Sequence, residues 1–230
     1  MIKSFLILVS FQILLLSSQQ ILLVVSDETN SSKAKLECYE GSKKVFTTVD
    51  VNLGKNGLAL GLGEIALIKE EDLVLKYEGD KKAPIGIFKL TDIFGYAKEA
   101  NFKMPYLYTS KKLICVDDSN SPFYNQIIES NGNEKSFEHM KRDDGQYELG
   151  IVVEHNKGSE YKRGSCIFIH VQKTKTSATA GCTSMSLEEL KKITKWLDKE
   201  KNPILIQIPK FKNKEILKLY PELKKSTLLN

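Results

Sequence analysis

The stretch from Gly164 to Cys182 reads GSCIFIHVQKTKTSATAGC. Its first part, residues 165–171, is apolar and alternating, which predicts a β-strand that ends at His170. Residues 172–178 are polar and rich in Lys, Thr and Ser, so they predict a loop. The chain then presents Gly181 and Cys182 shortly before Ser186, a good helix N-cap, with Glu189 three residues later to complete a capping box. Leu187, Leu190, Ile193 and Leu197 recur at helical spacing and predict a helix over 186–199. A histidine at a strand end and a cysteine at a strand-to-helix turn are placed to meet across one hairpin-like loop. That is the minimum for an activated thiol, a base within hydrogen-bond reach of a nucleophile. A helix N-terminus and an imidazolium both lower a thiol pKa, which predicts thiolate near neutral pH. Gly181 removes bulk beside the thiol, and the N–H groups of Gly181 and Cys182 are the candidates for an oxyanion hole. Taken alone, the pair reads more simply as a buried thiol and an ordinary imidazole. A zinc site fails on ligand count, because neither residue has a Cys-x-x-Cys or His-x-x-x-His partner.

Working outward, short strand patterns dominate. Residues 44–51 are β-branched and aromatic, 73–77 alternate, and Pro84 to Phe88 enter another strand. Residues 149–154 and 204–208 are further strand candidates. Gly54, Gly57, Gly61 and Gly63 break residues 53–63 into tight turns or a bulged hairpin. Residues 64–71 fit a helix or a strand, 123–129 a short helix and 213–220 a second one. Residues 97–145 are less regular. The sum is one sheet-rich domain with few helices.

The chain has 230 residues, 41% apolar and 27% charged, with a net charge of +5. Those values suit one globular domain. The charges are mixed along the chain, a pattern of solvated surface, and no nucleic-acid motif is present. Lys3, an apolar run over 5–16, and then Ser17 to Gln20 resemble a secretory leader. A second apolar burst, 21–25, follows. Residues 1–26 are therefore expected as a cleaved signal or a retained membrane anchor, and both place the rest outside the cytoplasm. Residues 27–43 are expected as a linker and domain start, 44–209 as the domain, and 210–230 as a C-terminal extension. Of the four cysteines, a free catalytic Cys182 leaves at most one bridge among Cys38, Cys115 and Cys166, and Cys38 with Cys115 is one conceivable pairing. Cys166 reads as a buried structural thiol.

The segment resembles the L,D-transpeptidase (YkuD-type) family, whose signature is a His, a variable loop and Ser/Thr-x-Gly-Cys. Here that is His170, then Thr179, Ala180, Gly181 and Cys182, closest to the branch with a short loop. Glu78-Gly79-Asp80, the strand Ala83 to Phe88, Phe94 to Ala97, Tyr124-Asn125, Tyr147 to Val153 and His155-Asn156 extend the similarity in order over residues 58–208. The resemblance implies a mainly β, sandwich-like domain. It implies acyl transfer on the tetrapeptide stems of peptidoglycan. Cys182 is the nucleophile, His170 the base and acid, and the carbonyl of Val171 orients the imidazole. No metal or organic cofactor is implied. Thr179, Ala180, Val171, Gly86 and Asn156 are the candidate pocket residues. Relatives carry Arg or Asn shortly after the cysteine, where this chain has Thr183, Ser184 and Met185. Lys82 or Arg163 is a candidate to replace that basic group. Three readings share the motif: a transpeptidase, an L,D-carboxypeptidase or similar hydrolase of the same stems, and a non-catalytic wall-binding module. A papain-like protease is excluded by order, since there the Cys precedes the His.

Overall fold

The computed structural model describes residues 18–71 and 73–230. Its main sheet has eleven strands. They are β1 (Gln20–Ser26), β2 (Lys33–Glu40), β3 (Lys43–Lys44), β4 (Val49–Asn52), β5 (Leu58–Leu60), β6 (Ala83–Gly95), β7 (Tyr106–Tyr108), and later β11 (Leu149–Val153), β12 (Phe168–Val171), β13 (Thr183–Met185) and β14 (Ile204–Pro209). Between them, β8 (Leu113–Val116), β9 (Ile127–Glu129) and β10 (Phe137–His139) form a separate three-stranded sheet in the order β10-β8-β9.

The main path runs β1-β14-β6-β11-β12-β13-β4-β2, and an added β1–β2 pairing closes it on itself. The fold is thus mainly β, with two α-helices among the described residues, α1 (Leu187–Trp196) and α2 (Asn213–Leu219). Leu22, Leu36, Ile85, Ile169, Met185 and Leu190 meet in the core. Ser186 caps α1 as expected, its Oγ accepting from the Glu189 N–H at 3.3 Å. The helix stops at Trp196 rather than 199, and Lys199–Lys201 turn as a 3₁₀ segment ahead of Pro203.

Three boundaries differ from expectation. The burst at residues 21–25 belongs to β1, every residue of which is buried. β1 pairs in parallel with β14 and antiparallel with β2. A strand covered on both faces needs a continuous apolar run and shows no alternation, which is why it reads like a leader. The domain therefore includes residues 20–26, and the run at 5–16 lies outside the described residues. The expected linker contains β2. Residues 210–230 are integral too, because Ser226 Oγ and Thr227 Oγ1 donate to the buried Glu37 carboxylate at 2.6 and 2.8 Å. Among shorter segments, 64–71 form neither helix nor strand, and 123–129 are a turn leading into β9.

Candidate active site

β12 lies between β11, antiparallel, and β13, parallel. The loop after His170 is therefore not a hairpin. It carries the chain back so that β13 runs in the same direction as β12. His170 pairs with Ser184, and Cys182, two residues earlier, sits beside Phe168. Residues two apart share a face, so Cys182 and His170 face the same way from neighbouring strands. Their Cα atoms are offset by roughly 8 Å on standard strand spacings.

His170 is buried, and its Nδ1 lies 2.9 Å from the Val171 carbonyl. A carbonyl only accepts, so Nδ1 carries the hydrogen and Nε2 keeps its lone pair. Cys182 Sγ is held by backbone. It accepts from the Phe168 N–H at 3.3 Å and its S–H donates to the Cys166 carbonyl at 3.5 Å. Among the described residues, no hydrogen bond joins Sγ to His170. Burial pulls the imidazole down to about 4. Burial, reinforced by the Glu138 charge, pushes the thiol up to about 12. The resting pair is a neutral thiol and a neutral imidazole, the opposite of the thiolate expected from the sequence. The reason is position: Cys182 precedes the strand β13 rather than the helix, and it sits in apolar surroundings with Phe94, Tyr147 and Phe168.

The turn before the thiol is built by Thr179. Its Oγ1 donates to the Cys182 carbonyl at 2.6 Å and accepts from the Gly181 N–H at 3.1 Å. The Gly181 amide is thus used inside the turn, which leaves the Cys182 N–H as the remaining candidate for an oxyanion donor. Gly181 has φ +149°, and a Cβ there would stand 3.0 Å from the Lys82 carbonyl. That carbonyl is fixed by a buried ion pair. Asp80 binds Lys76 Nζ at 2.6 Å and accepts from the Lys82 and Tyr77 N–H groups at 2.8 and 3.0 Å. The Glu78-Gly79-Asp80 stretch is therefore the support of the Cys182 turn as well as a change of direction.

The three-stranded sheet caps this face. Cys115 of β8 is disulfide-bonded to Cys166, so the conceivable Cys38–Cys115 pairing is replaced and Cys38 is a free buried thiol. Asn125 accepts from the Cys166 N–H at 2.9 Å and donates to the carbonyls of His155 and Asn156. Tyr124 Oη accepts from the Gly164 N–H at 3.0 Å, and Glu78 accepts from Tyr124 and Ser165 at 2.5 and 2.7 Å. Tyr147 stands at the centre. Its ring is 5.3 Å from the His170 ring, and its hydroxyl donates to Glu138 of β10 at 2.6 Å.

The remaining expected residues separate. Val171 orients His170. Ala180 is exposed on the turn. Asn156 is a brace, its amide donating to the Glu160 and Gly164 carbonyls at 3.1 and 3.0 Å. At Gly86 the Phe88 ring fills the space of the missing Cβ. His155 is buried and accepts from the Leu62 N–H while its Nε2 lies 3.0 Å from the Arg163 carbonyl. Lys82 Nζ donates to the Asn56 carbonyl, and Arg163 Nε to the Lys76 carbonyl, so neither is presented to the site. A groove of about 510 Å³ is lined in part by Asp92, Val152, Phe168 and Cys166, the last two being the residues whose backbone holds Sγ. A cavity of about 540 Å³ lined by Ile87, Leu90, Pro203 and Tyr220 contains neither Cys182 nor His170.

A family model described as the L,D-transpeptidase catalytic domain matches residues 22–206. No curated protein and no solved structure matches the chain.

Proposed function

The chain belongs to the L,D-transpeptidase catalytic domain family, and from that premise we propose that it is a cysteine acyltransferase acting on peptidoglycan tetrapeptide stems. The observation that carries the proposal is the shared face of Cys182 and His170, with the imidazole turned by the Val171 carbonyl so that Nε2 is the basic nitrogen. The thiol starts protonated. On attack, the S–H proton passes to Nε2 as sulfur bonds to the carbonyl carbon of the third stem residue. The oxyanion meets the Cys182 N–H. The imidazolium then gives its proton to the departing amine of the terminal D-residue, the C–N bond breaks, and a thioester remains. An amine from a second stem adds to the thioester, loses a proton to Nε2, and expels the thiol. The Cys115–Cys166 bridge supports an exported protein, since buried disulfides persist in oxidising compartments.

The test is incubation of the purified protein with disaccharide tetrapeptide and analysis of products by mass. Cross-linked dimer is expected, and it should vanish in Cys182→Ala. Tripeptide and free D-alanine alone would assign a hydrolase instead. No turnover, with no acylation of Cys182 by a carbapenem, would leave only a wall-binding module.

A further inference from the structure

Arg142 lies on the loop between β10 and β11, and that loop borders the end of β12. The Val171 N–H donates to the Gln146 carbonyl at 3.0 Å. Arg142 is fixed there at its backbone, its N–H donating to Tyr96 Oη at 3.0 Å and its carbonyl accepting from that hydroxyl at 2.6 Å. The guanidinium carbon stands 5.1 Å from the centre of the Tyr147 ring. The same ring lies 5.3 Å from the His170 imidazole. Asp144 takes Nε and Nη2 at 3.0 and 2.5 Å. A guanidinium has five N–H donors. The edge formed by Nη1 and the second hydrogen of Nη2 has no partner among the described residues. The side chain is 37% exposed, so a ligand can reach it from solvent.

The other cations near the site are committed. Lys76 is buried against Asp80, and Lys82 and Arg163 hold backbone carbonyls. The Arg142 charge acts on both His170 and Cys182. Two parallel N–H donors on a planar cation match a carboxylate and orient it.

We propose that Arg142 binds the terminal carboxylate of the acyl donor, so that the site selects peptides ending in a free acid one residue beyond the attacked carbonyl. This rests on the reading of the site as an acyltransferase. It makes Arg142 a specificity residue at the rim, aligned through Tyr147 with the base. The leaving residue is held at its carboxylate end while the carbonyl of the residue before it lies between Cys182 and Nε2.

The test uses the full chain carrying Cys182→Ala, which cannot turn over. Its affinity is measured for a stem tetrapeptide ending in D-alanine and for the same peptide as a C-terminal amide. The acid is expected to bind about tenfold tighter or more, on the usual worth of a charged hydrogen bond. Adding Arg142→Gln should bring the acid-to-amide ratio close to one, and Arg142→Lys should retain part of it. Thermal melting shows whether each variant is folded, and the lysine variant serves if the glutamine one is not. An unchanged ratio in Arg142→Gln, or no preference before that change, overturns the proposal. Thioester formation is read separately in the chain with Cys182 intact. A preference for the acid without any acylation would refute the catalytic reading and leave the carboxylate site standing.

Discussion

Raising pH should activate Cys182 without a plateau near neutrality. Burial and Glu138 raise the thiol from 9.0 to about 12. Three units correspond to about 4 kcal/mol against the thiolate, and to a thiolate fraction of roughly 10⁻⁵ at pH 7. A thiol paired with an imidazolium behaves otherwise, since its alkylation rate is already flat at pH 6–7. The assay is the rate of iodoacetamide labelling of Cys182, followed by mass from pH 6 to 11. The logarithm of the rate should rise with unit slope across that range. Cys38, which burial raises even further, is the internal control and should lag behind. Glu138→Gln keeps a hydrogen-bond acceptor for Tyr147 but removes a negative neighbour, so labelling at pH 8 should accelerate by roughly threefold or more. The same logic sets the acid limb of kcat/KM. Burial lowers His170 to about 4, so the base stays neutral, and activity persists, down to about that pH rather than 6.5. A labelling rate that levels off between pH 6 and 7 would refute the neutral pair and restore a preformed thiolate–imidazolium.

Three further outcomes follow from the supports of the site. Replacing Cys115 and Cys166 by serine opens a loop closed over a sequence separation of 51 residues, and chain entropy alone predicts a loss of about 4 kcal/mol in urea unfolding. Asp80→Ala leaves Lys76 charged and buried, which should cost about 3–5 kcal/mol by chemical denaturation, with most of it recovered when Lys76→Met is added. The Glu37 carboxyl, which burial alone would raise, is held down at about 2 instead of 4.5 by hydrogen bonds from Lys44, Ser226, Tyr39 and Thr227. Its folded pKa is depressed, so its contribution is complete above 4.5 and is lost as pH falls towards 2. Unfolding free energy should drop by about 3 kcal/mol across that window, and Glu37→Gln should flatten the pH profile.

What the sequence disclosed follows from locality. Ser186 and Glu189 are three residues apart, and the helix cap they predict is present. The His170 strand and the Thr179–Cys182 turn were also legible, because strand alternation and small turn residues act over a few positions. The parallel course of β13 was not, since a polar loop has the same composition whether it makes a hairpin or a return. β1 was masked by its own burial, because a strand enclosed by β2 and β14 shows the unbroken apolar run of a leader. Cys166 with Cys115, Lys76 with Asp80 and Arg142 over Tyr147 are tertiary relations. Arg142 stands in a charged stretch with no apolar period, so nothing local marks it. The resemblance to a family supplied the order of motifs, but it had no basic residue to offer at Thr183–Met185.

The cap holds the thiol as well as covering it. Three ties converge on residues 164–166: Tyr124 to the Gly164 N–H, Glu78 to Ser165, and Asn125 with the disulfide to Cys166. Cys166 takes φ +55°, a left-handed conformation that costs a non-glycine residue on the order of 1 kcal/mol. In that conformation its carbonyl receives the Cys182 S–H at 3.5 Å. The proposed mechanism needs that hydrogen to turn from Cys166 towards His170 Nε2. Two costs then compete. Releasing a long S–H···O contact forfeits less than the ~1 kcal/mol of an ordinary hydrogen bond. Forming a free thiolate in the same place costs about 4 kcal/mol, from the shift of the thiol to about 12. The second cost is the larger, so the economical route rotates the thiol first and moves its proton only as sulfur bonds to carbon. On that route the cap can remain in place during the chemistry, since apolar cover disfavours the free thiolate, which the concerted step never forms.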